Sequence, residues 1–288
     1  MDGSSQAARG RPAFHVRQDA TPRRVEGVLT AVAQLDHSAL SSVSYDMVYD
    51  LTQKLGYDLN RRYEPIVLLK DLGMLDRRSS LLTPLGKDLW RLVKAKPSAF
   101  HELMHCLHYS TWDSSSPFTN CFSWSYRAVC DSLWESGSGT VDRRQLVSLV
   151  LEQGATQLGA QHISFGPSSI DGILHWLRVL NPPVITSSQV LGKVETVFSR
   201  RAFCPPETLA LAIDHLYRSW GVDYQVNLLL DSDKREMICR FCLLDPTAFE
   251  TALDWAVGQF LFLHRGGAGG WGSYVLLTRQ PKIADFVG

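Results

Sequence analysis

Residues 74–93, MLDRRSSLLTPLGKDLWRLV, decide how the first third of the chain folds. Met74-Leu75 and Leu81-Leu82 are short apolar pairs around the polar tip Asp76 to Ser80, the pattern of a two-stranded hairpin. Thr83 then offers a hydroxyl to the free amides of a helix. Pro84 suits the first position of that helix because no N–H is needed there. Leu85, Leu89, Leu92 and Val93 continue at helical spacing. The stretch is a hairpin that runs into a helix.

Upstream, Thr21-Pro22 opens a helix in the same way, and Val25, Val28, Leu29 and Val32 carry it to about Leu35. Ser44 caps a second helix through Leu55, with Gly56 as its stop. A third, about eight residues long, runs from Pro65 to Gly73. Three helices, a hairpin and a helix is the order of a winged helix-turn-helix domain.

Downstream the order partly recurs. Val141 to Gly154 reads as a helix stopped by glycine, and Ser168 to Leu180 as a second, followed by the extended VITSSQVLGKVETVF. Asp245 to Gly258 reads as a helix before two strands, QFLFLHR and SYVLLTR, around a GGAGGWG tip. The expected fold class is mainly α with small β-hairpins, built of tandem winged helix-turn-helix-like units. The expected divisions are a flexible basic arm (1–20), a winged-helix domain (21–97), a helical domain with a second such unit (98–190) and a C-terminal α+β unit (191–288).

The 288 residues are 45% hydrophobic and 20% charged, an ordinary globular composition. Twenty-nine basic residues balance twenty-nine acidic ones, so the whole chain exerts no net pull on nucleic acid. Residues 1–100 nevertheless carry 15 Lys and Arg against 11 Asp and Glu, which leaves the remainder mildly acidic. The most apolar stretch, WAVGQFLFL, is far shorter than the roughly 20 residues a helix needs to cross a bilayer. MDGSSQAARGRP lacks the apolar centre of a secretion signal. Six cysteines without such a signal suggest reduced thiols, so a cytoplasmic location in a prokaryote is expected.

His101, Glu102 and His105 within FHELMHCLHYS spell H-E-x-x-H, which on a helix sets two imidazoles on one zinc beside a general-base carboxylate. Were it a site, His101 and His105 would bind the metal and Glu102 would activate water for amide hydrolysis. Zinc needs a third protein ligand. The extended motif would put glycine at His108 and histidine at Thr111, and downstream only Asp131 and Glu135 offer carboxylates. Phe100, Leu103, Met104 and Leu107 form the apolar stripe, beside which His101, His105 and His108 form a second. The expectation is therefore no cofactor and no catalytic residue, with a partly exposed helix capped by Ser98; a zinc metallohydrolase is the alternative.

Cys239 and Cys242 form a lone C-x-x-C without a second pair, and GGAGGWG lacks the Lys-Ser/Thr of a phosphate loop. Buried thiols and a hairpin tip with Trp271 are expected instead. The arginines say more. Arg61 and Arg62 precede the third helix, Lys70 lies in it, and Arg77 and Arg78 occupy the hairpin tip. Arg9, Arg11, Arg17, Arg23 and Arg24 line the arm and the first helix start. In a winged helix the third helix enters the major groove while arm and wing meet the backbone. Double-stranded DNA is the expected ligand of Arg23, Arg24, Arg61, Arg62, Lys70, Arg77 and Arg78. A protein partner is expected for the acidic remainder, and a pure protein scaffold is a further alternative.

LGMLDRRSSLLTPLG resembles the segment that ends the recognition helix and forms the wing in many prokaryotic winged-helix proteins. With AFHVRQDATPRR, the HELMHCLHY helix, FSWSYRAVCDSLW and SSIDGILHWLRVL, residues 13–185 resemble a family of uncharacterised bacterial winged-helix proteins. That family is encoded beside DNA phosphorothioation and phage-defence genes; an aspartate-rich stretch usual in it is missing here. The resemblance implies a context of antiviral defence, and together with the arginines it leads to the expectation of a non-enzymatic winged-helix DNA-binding or adaptor protein. HELMHCLH is also similar to the HELGHLLLH of small bacterial regulatory metallopeptidases, whose downstream glutamate helix is absent.

Overall fold

The computed structural model describes residues 13–36, 41–60, 63–160, 163–190, 192–267 and 272–287. The protein is mainly helical, with two small antiparallel sheets.

The first unit holds α1 (Pro22–Asp36), α2 (Tyr45–Lys54), α3 (Glu64–Asp71) and α4 (Pro84–Ala95). Its caps form as their residue types require: Ser44 Oγ accepts from the Met47 amide at 3.2 Å and Thr83 Oγ1 from the Gly86 amide at 3.1 Å. The hairpin between α3 and α4 contracts to a single antiparallel bridge, Leu75 with Leu82. Asp76 closes its tip by accepting from the amides of Arg78 (3.0 Å) and Ser79 (2.7 Å), which leaves too few residues for a longer ladder. The Val43 amide donates to the Ser79 carbonyl at 2.8 Å, so a third stretch touches the hairpin edge. Gly86 is where α4 meets the hairpin: a Cβ there would lie 2.1 Å from the Met74 carbonyl oxygen.

A linking helix, α5 (Pro97–Ser110), carries the H-E-x-x-H letters. Pro97 is its first residue and Lys96 its N-cap, so Ser98 lies inside the first turn and caps nothing.

The second unit runs α6 (Cys121–Ser136), β1 (Gly139–Thr140), α7 (Arg143–Leu158), α8 (Pro167–Arg178), β2 (Ile185–Val190) and β3 (Lys193–Phe198). Its sheet has the order β1-β3-β2, all antiparallel, with Ile185 opposite Phe198 and Gln189 opposite Val194. The extended segment of the sequence is thus a hairpin, and a boundary after residue 190 would split it; the unit ends at Phe198. Gly154 does not stop α7. It lies inside the helix where the Ile163 and Trp124 side chains press against it, and Gly159 (φ 61°) closes the last turn.

The third unit repeats the order as α9 (Pro206–Ser219), β4 (Leu228–Leu230), α10 (Ser232–Cys242), a 3-10 turn (Pro246–Ala248), α11 (Phe249–Gln259), β5 (Leu263–Gly267) and β6 (Ser273–Leu277). The strand order, β4-β6-β5, again places the last strand between the first two. Helix, strand, helix, helix, strand, strand therefore occurs twice with one sheet topology.

Residues 13–20, expected as part of a flexible arm, are docked. Phe14, Val16 and Ala20 are buried, and the Phe14 ring meets Trp124 edge-on at 5.9 Å. Gly172 of α8 admits the Val16 carbonyl, which a Cβ would approach to 2.5 Å. Three apolar residues on alternate or nearby positions are enough to hold the segment against α6 and α8. Residues 1–12, with Arg9 and Arg11, lie outside the described residues. Among the described residues, no helix is long and apolar enough to cross a membrane. At the centre of the molecule α5 packs against α4, α6, α8 and α9, so every unit touches it.

Candidate functional site

The H-E-x-x-H helix is more deeply covered than the sequence suggested, with partial exposure left at its ends and at His101 and Leu107. Most of both stripes is covered, because α5 is the shared wall of three units; Phe100, Glu102, Leu103, Met104, His105, Cys106, His108 and Tyr109 are buried. Each polar letter then serves as a strut to a different neighbour. Glu102 forms a buried ion pair with Arg201, its oxygens 2.8 and 3.0 Å from one guanidinium nitrogen. It also accepts from Thr208 Oγ1 at 2.7 Å and from the Asn181 amide at 2.8 Å. Three donors engage both carboxylate oxygens, and the same Arg201 donates to the Cys242 carbonyl at 2.5 and 2.9 Å. This group joins α5 to the end of α8 and to the third unit.

His105 Nε2 lies 2.8 Å from the Phe241 carbonyl oxygen, which can only accept, so that nitrogen carries the proton. Nδ1, at 2.9 Å, is left to accept from the Tyr126 hydroxyl. Burial, reinforced by the Arg201 charge, lowers the His105 pKa to about 4, which keeps the ring neutral. Its one lone pair is engaged, so it is not offered to a metal. His101 Nε2 points elsewhere, 2.5 Å from Glu26 Oε1 in α1. His108 Nδ1 donates to the Met104 carbonyl at 2.7 Å, and its ring lies 5.0 Å from both Tyr126 and Trp176. Burial holds this ring neutral as well, with a pKa of about 4. Of the carboxylates that could complete a zinc site, Asp131 accepts from Tyr109 and Glu135 pairs with Arg240. Among the described residues no three His, Cys, Asp or Glu side chains are grouped to hold a metal. Cys239 and Cys242 are free and buried. Arg201 and Thr208, which decide what Glu102 does, carry no motif that would reveal them in the sequence.

The expected DNA-contacting residues divide into two groups. Lys70 Nζ donates to the Arg77 carbonyl at 3.2 Å, so the C-terminal end of α3 and the hairpin tip share one edge. Arg77 approaches Asp71 at 3.5 Å, and Arg78 is exposed beside it. Burial raises the Asp71 carboxyl above its ordinary range, while the nearby charges of Arg17 and Arg77 pull it back. Arg17 of the docked segment therefore joins the same edge. Lys70 also rests over the Tyr45 ring of α2 at 5.0 Å. Arg23 and Arg24 instead line a recess with Gly56, Tyr57, Asp58 and His175, where Arg24 is held by Asp19 at 2.9 Å. Arg61, Arg62 and Trp271 lie outside the described residues. Within α3, Glu64, Pro65, Ile66, Leu68 and Leu69 are buried, and only Val67, Lys70 and Asp71 are partly open. The third helix does not stand proud of the unit.

No family model matches the chain, and neither a curated protein nor a solved structure does so at a meaningful level.

Proposed function

We propose that the chain is a tandem winged-helix adaptor that holds duplex DNA by its phosphates, through the edge formed by Arg17, Lys70, Arg77 and Arg78. The repeated helix, strand, helix, helix, strand, strand order with the last strand central supports the winged-helix reading. The carrying observation is the Lys70 to Arg77 hydrogen bond, which joins α3 to the hairpin tip beside an Asp71 that Arg17 and Arg77 both face. Arginine forks and a lysine point charge suit phosphate oxygens. With α3 mostly covered, the contact is to backbone rather than to base edges, so binding is weakly sequence-dependent and strongly salt-dependent. The resemblance seen in the sequence supports a role for such an adaptor in cytoplasmic DNA modification or phage defence, with a protein partner on the acidic remainder. Glu102, held by three donors, and the engaged His105 support a binding role over the zinc hydrolase.

Fluorescence anisotropy with a labelled 20-base-pair duplex tests this. Four phosphate contacts give a slope of about −3.6 in log affinity against log salt. Alanine at Lys70, Arg77 and Arg78 together flattens the slope and weakens binding at least tenfold. A folded triple variant that binds like the parent removes this edge as the DNA site.

A further inference from the structure

Between α5, α6, α9, α10 and the segment around Ile283 lies a cavity of about 740 Å³ that none of the functions above uses. That is the size of a site for a small organic ligand. Its floor is apolar, with Leu103, Leu107, Leu211 and Met237. Two guanidiniums stand in its wall, Arg127 of α6 and Arg218 of α9. Each meets a carboxylate through Nε, Arg127 at 3.6 Å from Asp131 and Arg218 at 3.0 Å from Asp214, and the Arg127 guanidinium also lies over the Tyr109 ring at 5.5 Å. Their terminal forks make no hydrogen bond among the described residues. His215 lines the cavity with them, its ring 5.3 Å from Phe241, and it too forms no hydrogen bond among the described residues. Burial and then the charges of Arg127 and Arg218 lower its pKa to about 3, so it is a neutral donor and acceptor. Asp113 and Asp214 also line the wall. Asp214 is further satisfied by the Tyr224 hydroxyl at 2.7 Å.

We infer that this cavity binds an organic anion with an apolar body, its oxyanion held by the free forks of Arg127 and Arg218 and by His215. The ligand touches the second unit through Arg127, the third through Arg218 and Met237, and α5 through Leu103 and Leu107. Occupancy ties the units together. The inference is independent of the DNA reading.

Isothermal titration calorimetry of the full chain tests it with decanoate, decyl phosphate and decanol. One site per chain is expected for at least one of the anions, with the stronger identifying a carboxylate or a phosphate ligand, and no saturable binding of decanol. Arg218→Gln, half-exposed and so compatible with folding, weakens anion binding about tenfold, and adding Arg127→Gln removes it. Leu211→Trp, which fills the cavity from partly exposed α9 and leaves both arginines, also abolishes binding; it decides the matter if the double variant does not fold. Absence of binding by both anions, equal binding of decanol, or unchanged affinity in a folded double variant or in Leu211→Trp overturns the assignment.

Discussion

The first and third units share an order of helices and a closing hairpin, yet they dress the same edge in opposite chemistry. In the first, Arg17 and Arg77 flank Asp71, Lys70 bonds the Arg77 carbonyl, and Arg78 stands exposed at the hairpin tip. In the third, the equivalent helix α11 presents Glu250, Asp254 and Trp255, and the local arginines are consumed: Arg235 and Arg265 both pair with Glu250, and Arg265 also with Asp254. Trp255 is half-exposed and Leu261, at the following turn, almost wholly so. Topology alone therefore says nothing about what an edge touches; the surplus of unpaired charge does. On the function proposed above, the first edge would meet phosphate and the third would be left to the protein partner.

The sharpest way to break this comparison is to remove the frame that holds both units. Glu102→Ala strands Arg201 in an apolar interior together with the Thr208 hydroxyl and the Asn181 amide. It should cost about 3–5 kcal/mol in urea unfolding. Glu102→Gln keeps one acceptor oxygen, enough for the Asn181 amide, and its new NH2 can donate to the Thr208 hydroxyl, so it should lose less. A zinc hydrolase predicts the reverse pattern, a fully stable but inactive Glu102→Ala protein.

The comparison itself is sharpened by DNA binding. Alanine at Lys70, Arg77 and Arg78 should weaken duplex binding tenfold or more, whereas alanine at Arg235 and Arg265 should leave it within about twofold. Equal losses in both variants would mean that net charge, not the placement of the edge, governs the contact.

The smallest effect concerns the joint between units. His105 and His108 titrate near 4 and His215 near 3, below an ordinary histidine value of about 6.5. The unfolded chain thus takes up protons first as pH falls. Stability should decline from about pH 6.5 towards 4, by at most about 1.4 kcal/mol per pH unit for each histidine. His108→Phe keeps the ring contacts and removes one of these protons. At pH 7 it should lie within about 1 kcal/mol of the parent, and its acid limb should be shallower by about one proton. An unchanged limb would show that His108 is protonated in the folded state.

Much of the first unit was legible because its signals are local. Ser44, Thr83 and Pro84 cap or open helices where the chain needs them, and α3 ends where Gly73 adopts φ 73°. The later units were half legible. β5 and β6 followed from two apolar runs around a glycine-rich tip, but α9 and α10 were missed, since SDKRE at the start of α10 hides the apolar residues behind it. Gly154 misled because its role is a close approach from Ile163, a contact made across the fold. The motif on α5 misled for the same reason. Letters at i and i+4 state which face side chains share, not whether that face meets water, a metal or another helix. Arg201, 99 residues from Glu102, settled that, and nothing near either residue announces the other.

The Glu102–Arg201 pair also bears on dividing the chain. Neither half owns a neutral interior, so pieces expressed separately, cut in the loop after α5, would each carry an orphaned ion in an apolar cleft. Brought together they should reassemble, which would make this protein a natural candidate for a two-fragment complementation reporter.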